Sequence, residues 1–258
     1  MLELFFCGCH HPADAKRFSH SFISVNAIRE RADAFRPKNW VLDSAAFTEI
    51  NTHGRFRWPV SEYAHQINRW NDDGNLMAAV SQDYMCEDAA LAMTGLSVRE
   101  HQRLTVERYD ELLELTPGVV IIPVLQGRTP DDYARHLEMY GDRISPGTWT
   151  GVGSVCKRTS VKEIAAVLQR IRSERVDVPL HGFGIKTTAL KSSDVADALF
   201  SADSMAWSFA ARRQGRNQNC WTEGARMVRR INEVVGRTVC EIHPPKFRQR
   251  CLWGQHAS

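Results

Sequence analysis

Six positions along the chain carry a polar or small residue where an apolar run stops: Asp43, Asp83, Gln126, Ser154, Gly184 and Asp203. Two or three carboxylates facing one pocket divide the labour of glycosidic-bond chemistry, one attacking the anomeric carbon while another moves protons on the leaving group. A shared pocket pushes their pKa values apart, as the two roles require. An amide such as Gln126 both donates and accepts, which suits the edge of a planar heterocycle. Gly127, Gly151 and Gly153 let the backbone approach such a ligand closely. Cys86 and Cys156 also fall at strand ends, yet neither has a base beside it in sequence, so both read as small packed residues rather than nucleophiles.

These residues share a site only if the elements carrying them converge. Short runs rich in Val, Ile and Leu alternate with stretches of helical periodicity, the pattern of βα units around a parallel sheet. Eight strands are expected: Leu2–Phe6, Ser21–Val25, Trp40–Asp43, Met77–Gln82, Val119–Leu125, Thr150–Val155, Pro179–Gly184 and Ala198–Ala202. Helices are expected at Ala27–Phe35, Ser61–Asn71, Val98–Leu115, Pro130–Tyr140, Val161–Ser173 and Thr188–Ala196, two of them opening on the capping sequences that start at Thr129 and Ser160. Eight such units predict an α/β fold of the (β/α)8 TIM-barrel type, with an open doubly wound sheet as the alternative. In the barrel the six strand-end residues line one rim. No dinucleotide fingerprint or P-loop occurs. Residues 1–237 are assigned to the barrel and 238–258 to a short basic C-terminal extension.

The 258 residues carry a net charge of +3. The balance is uneven, since ten Lys and Arg follow residue 200 against four acids. Such a basic third suits a polyanion such as nucleic acid. No apolar run is long enough for a membrane span and the start lacks a secretory signal, so a cytoplasmic protein is expected. Seven scattered cysteines fit reduced thiols.

The segment Trp40-Val-Leu-Asp43-Ser-Ala-Ala-Phe47 resembles the Asp-Ser-Gly-Gly-Phe segment of tRNA-guanine transglycosylases, and Val124-Leu-Gln126-Gly127 resembles their Val-Gln-Gly. Closer still is the similarity to DpdA-like proteins that insert 7-deazaguanine bases into DNA. It is carried by Gln82-Asp83-Tyr-Met85-Cys86-Glu87, His101-Gln102, Pro123-Val-Leu-Gln126-Gly127, Gly153-Ser-Val-Cys156, His181-Gly-Phe-Gly184 and Ser201-Ala-Asp203-Ser-Met-Ala-Trp207-Ser208, spanning about residues 39 to 220. The resemblance implies a barrel that exchanges guanine in DNA for a 7-deazaguanine such as 7-cyano-7-deazaguanine. It implies Asp43 as the proton-transfer carboxylate, Asp83 and Gln126 as purine-binding groups, and Gly153 and Ser154 as pocket lining. The tRNA enzymes place their nucleophile three residues after the position of Asp203, where this chain has Ala206. Either Asp203 attacks C1′ to give a covalent glycosyl-aspartate, or Asp43 attacks with Asp203 in support.

Around this set, Gly127, Phe183 and Trp207 are candidates for contact with the base, the two aromatics by stacking. Arg212, Arg213 and Arg216 are candidates for flanking phosphates. The target nucleotide must be single-stranded or flipped from the duplex, and accessory DNA-modification proteins are conceivable partners. The chemistry requires no cofactor. Cys240, His243, Cys251 and His256 would supply four ligands for a structural zinc, and Cys7, Cys9, His10 and His11 form a second dense cluster. The alternatives are a tRNA-guanine transglycosylase and a catalytically silent barrel that binds nucleic acid or a base within a modification complex.

Overall fold

The computed structural model describes residues 1–156, 158 and 160–244. Cys251 and His256, two of the four zinc candidates, lie outside the described residues. Among the described residues nine strands form one parallel sheet: β1 (Leu4–Gly8), β2 (His20–Ser24), β3 (Asn39–Asp43), β4 (Asn75–Val80), β5 (Ile121–Ile122), β6 (Val124–Leu125), β7 (Thr150–Val152), β8 (Leu180–Gly182) and β9 (Ser201–Ser204). Their order is β5-β4-β3-β2-β1-β9-β8-β7-β6. Consecutive strands are neighbours except β5 and β6, and β9 returns to β1, which is the order of a barrel and not of a doubly wound sheet.

The two ends of that order are one stretch of chain. Proline has no N–H to give a ladder, and Pro123 divides the fifth expected strand into β5 and β6. Before it, the Ile122 carbonyl accepts from Ser81 N–H on the β4 side (3.0 Å); at it, the Pro123 carbonyl accepts from Gly151 N–H on β7 (2.8 Å). The chain thus changes partner at a single residue, and the nearly closed barrel has eight staves, each at its expected place in the sequence.

Strands buried on both faces need apolar residues at every position. Phe6, Phe22, Val41, Ala78, Val80, Ile122 and Val124 fill the interior, while alternate residues such as Phe5, Ile23, Leu42 and Leu125 join the larger core beneath the helices. The period of two then sets the rim: with Val41 and Val124 inward, Asp43 and Gln126 two residues later face the same axis.

The surrounding helices include Val60–Trp70, Val98–Leu115, Pro130–Tyr140 and Val161–Glu174, close to expectation. Thr129 opens its helix with a capping box completed by Asp132, whereas the Ser160 side chain caps nothing. The helix expected over Ala27–Phe35 stops at Ile28, and Phe35 and Arg36 instead donate their N–H groups to the Asp73 carboxylate (2.8 and 3.0 Å). The stretch Thr188–Ala196 splits into a 3-10 turn, Ala189–Lys191, and a short helix, Ser193–Ala196, because Ser192 is extended. Helices Ala46–His53, Asp88–Thr94, Ala206–Arg213 and Trp221–Val235 were not expected.

Residues 239–243, the described start of the expected extension, run along the foot of the barrel, where Phe5 N–H donates to the Val239 carbonyl (3.0 Å) and Ser19 N–H to that of Glu241 (2.9 Å). Cys7, Cys9, Cys86, Cys156 and Cys240 form no disulfide, whereas Cys220 is disulfide-bonded, which corrects the expectation of seven reduced thiols. Among the described residues no helix is long and apolar enough to cross a membrane.

Candidate active site

Gln126 sits at the end of β6 with no exposed surface. Both ends of its amide are engaged: Nε2 donates to Asp83 Oδ2, and Oε1 accepts from the Ser154 hydroxyl at 2.6 Å. Its backbone is held equally firmly. Gln126 N–H donates to His136 Nδ1 (2.9 Å) and its carbonyl accepts from Gln102 Nε2 (2.7 Å). Because His136 Nδ1 accepts, its proton is on Nε2, which donates to the Gln102 carbonyl (3.1 Å); burial holds this ring neutral, with its pKa lowered to about 3. A primary amide has two N–H groups and two lone pairs, so these two bonds leave one of each unused.

Two backbone features make room for this arrangement. A Cβ on Gly153 would lie 2.1 Å from Gln126 Nε2. Ser154 has φ +53, a left-handed conformation that a non-glycine residue adopts at a cost of about 1 kcal/mol. Its hydroxyl explains the position, since it also accepts Cys86 N–H (3.0 Å) and so ties the loop after β4 to the loop after β7. Ala45, at φ +62, adopts the same conformation just after Asp43.

Asp43 and Asp83 both have pKa values raised to about 7. For Asp43, burial is the first cause, and the carboxylates of Asp203 and Asp83 add to it; Ala45 N–H and the Ser24 hydroxyl offset part of the rise. That electrostatic coupling puts the other two carboxyls close to Asp43. For Asp83 burial outweighs the stabilising Gln126 donor.

Asp203 is 7% exposed on β9. Gly184 N–H donates to its Oδ1 (2.9 Å), and His181 Nε2 lies 3.3 Å from the same oxygen. His181 Nδ1 meets Ser201 Oγ at 2.9 Å, and Ser201 in turn accepts Trp149 Nε1 (2.8 Å). The consistent assignment runs Trp149 N–H to Ser201, Ser201 O–H to Nδ1, and Nε2–H to Asp203. His181 is fully buried and stacks on Phe22, with centroids 5.8 Å apart and an interplanar angle of 11°. Among the described residues no hydrogen-bond donor engages the second oxygen of Asp203.

The structure therefore brings Asp43, Asp83, Gln126, Gly153, Ser154 and Asp203 together. Phe183 is partly exposed beside them, 4.6 Å from the His181 ring centroid. A Cβ on Gly127 would meet Asp132 Cβ at 2.6 Å, so that glycine serves the packing of helix Pro130–Tyr140 rather than a ligand. Trp207 departs from its expected role as an open stacking face: it is 6% exposed, packs in the outer core and donates Nε1–H to the Gly8 carbonyl (3.0 Å). Arg212 and Arg213 are exposed, each over the Phe209 ring, and Arg216 pairs with Glu223 at 3.0 Å.

Cys240 is buried, its thiol directed at the His20 carbonyl (3.6 Å), and His243 lies 3.6 Å from Glu241. Among the described residues no three His, Cys, Asp or Glu side chains are grouped to hold a metal. That includes Cys7, Cys9, His10 and His11, where His10 Nε2 instead contacts Ser208 Oγ (2.7 Å). Cys86 is buried with its thiol pKa pushed well up, the opposite of an activated nucleophile.

Sequence reasoning passed over Ser24, His136, His181 and Ser201 as members of the site. Two were within reach: Ser201 and His181 lie two residues before Asp203 and Phe183, and the strand period puts them on the same inward face.

No curated protein matches the chain. A model of the family DpdA, DeoxyPurine in DNA protein A, matches residues 1–231, a span that contains every strand of the barrel and every carboxylate of the site; the chain belongs to that family.

Proposed function

We propose that the protein exchanges guanine in DNA for a 7-deazaguanine base, the 7-cyano derivative being the leading candidate. The observation that carries this reading is the meeting of three carboxyls, two with pKa values near 7, with a fixed amide that keeps one donor and one acceptor unused. Membership of a family described by deoxypurine in DNA favours DNA over tRNA.

The free oxygen of Asp203 attacks C1′ of the target nucleotide. The C1′–N9 bond breaks and its electron pair leaves with guanine, which takes the proton of Asp43. The result is a glycosyl-aspartate. The incoming base returns a proton from N9 to Asp43, its nitrogen attacks C1′, and Asp203 is released; two inversions retain configuration. A pKa near 7 lets Asp43 give and accept a proton at neutral pH. Asp83 and Gln126 read the purine edge, and Phe183 and Ser154 border the same hollow. C1′ is inaccessible in a duplex, so the nucleotide enters flipped or single-stranded. Arg212 and Arg213 hold phosphates beside it.

The test is incubation with single-stranded or duplex DNA, or with tRNA, in the presence of 7-cyano-7-deazaguanine, followed by nucleoside mass spectrometry. Label in DNA supports the proposal. Label only in tRNA, or binding without turnover in either, refutes it.

A further inference from the structure

Outside the carboxylate site, a cavity of about 320 Å³ lies between helices Ala206–Arg213 and Trp221–Val235, with Thr187 from the loop after β8 also in its lining. Its wall is apolar, from Trp207, Ala210 and Met227, and its mouth carries Arg216, Arg226 and Arg230. Glu223 is the one acid among the described lining residues, and it is already held by Arg216 (3.0 Å) and Arg226 (2.6 Å). Arg230 is exposed and pairs with no carboxylate among the described residues. Three guanidinium groups against one carboxylate leave the mouth net positive.

The location has a general meaning. In (β/α)8 barrels the loops after the last two strands, together with a short extra helix, commonly form a phosphate site next to the catalytic rim. Helix Ala206–Arg213 occupies that place: it starts three residues after Asp203 and is followed by the longer helix Trp221–Val235, which packs on β1.

We infer that this cavity is a subsite for a nucleotide of the DNA strand adjacent to the target, its phosphate held by Arg226 and Arg230 and its sugar against the apolar wall at Ala210 and Met227. The inference rests on the DNA base-exchange reading and adds to it residues beyond the exposed arginines on Phe209. Arg216 keeps Glu223 paired, so Arg226 and Arg230 can be altered without leaving a buried carboxylate alone.

The experiment is fluorescence anisotropy of a labelled single-stranded oligonucleotide titrated with the full chain across a series of salt concentrations. Each phosphate contact contributes about 0.7 to the slope of log affinity against log salt on single strands. The double variant Arg226→Gln/Arg230→Gln is expected to lower the slope by about 1.4 and weaken binding about tenfold or more at moderate salt, with an unchanged thermal melt. If the double variant melts early, Arg230→Gln alone should lower the slope by about 0.7. A folded variant with the wild-type slope overturns the subsite. Displacement of the oligonucleotide by micromolar dGMP assigns the cavity to a free nucleotide and overturns the DNA assignment. Wild-type protein that neither binds nor labels DNA refutes the base-exchange reading itself and the subsite with it.

Discussion

Replacing Gly153 by alanine tests whether the Gln126 amide must stand where it does. The new methyl would sit 2.1 Å from Nε2, 2.6 Å from Cδ and 2.9 Å from Oε1 of that side chain. No small adjustment relieves three such contacts, and the Gln126 backbone is pinned by His136 and Gln102. The amide must rotate away, losing its bonds to Asp83 and Ser154. A hydrogen bond to an ionised group is worth about 1.5–3 kcal/mol and a neutral one about 1, so the loss is about 3 kcal/mol. For a chain of this size that lowers the melting temperature by roughly 6–12 °C. The same 3 kcal/mol, expressed in base recognition, lowers kcat/KM about a hundredfold. Calorimetry and base-exchange kinetics on Gly153→Ala check both figures. A variant with wild-type melting and turnover would show that the site does not depend on this amide, and the account of Asp83 and Gln126 as one recognition unit would fall.

Asp203→Asn preserves the shape that accepts Gly184 N–H but removes the attacking charge, so exchange should fall by at least about a thousandfold while DNA binding persists; normal exchange would transfer the nucleophile's role to Asp43. His181→Ala should lower kcat far more than it raises KM, because it frees Asp203 without touching the base, and an equal effect on both would contradict a positioning role. The raised pKa values of Asp43 and Asp83 mean that the folded state binds more protons than the unfolded one between about pH 4 and 7. Their contribution to stability is therefore full below about pH 4 and lost as pH rises through 7. His136, lowered to about 3, acts oppositely, its contribution being lost as pH falls below about 6.5. Asp83→Asn should consequently gain stability relative to wild type as pH rises from 5 to 8, and parallel melting curves across that range would refute the buried-carboxyl assignment.

Much of the fold was legible because strands covered on both faces leave long apolar runs, and each run ends where its polar rim residue begins. Asp43, Gln126 and Asp203 were therefore readable from where apolar character stops. Helix Trp221–Val235 was not read as such because its exposed face is crowded with Arg226, Arg229 and Arg230, although Ala225, Val228 and Ile231 form a buried stripe at helical spacing. The role of Trp207 was misread because an aromatic residue near a strand end looks alike whether it faces the mouth or the outer core. Only the register of helix Ala206–Arg213 against Gly8 and Gly224 separates the two. His136 was illegible for a different reason: its function is to bond the backbone of Gln126, ten residues away, and backbone bonds leave no pattern in side-chain types.

Pro123 divides more than a strand. Everything before it supplies Asp43 and Asp83, and everything after it supplies Gln126, Ser154, His181 and Asp203. On the proposed mechanism, neither portion holds both the attacking group and its proton partner. A chain cut at that seam would consist of two chemically inert fragments, and any recovered base exchange on mixing them would report that the fragments had reassembled.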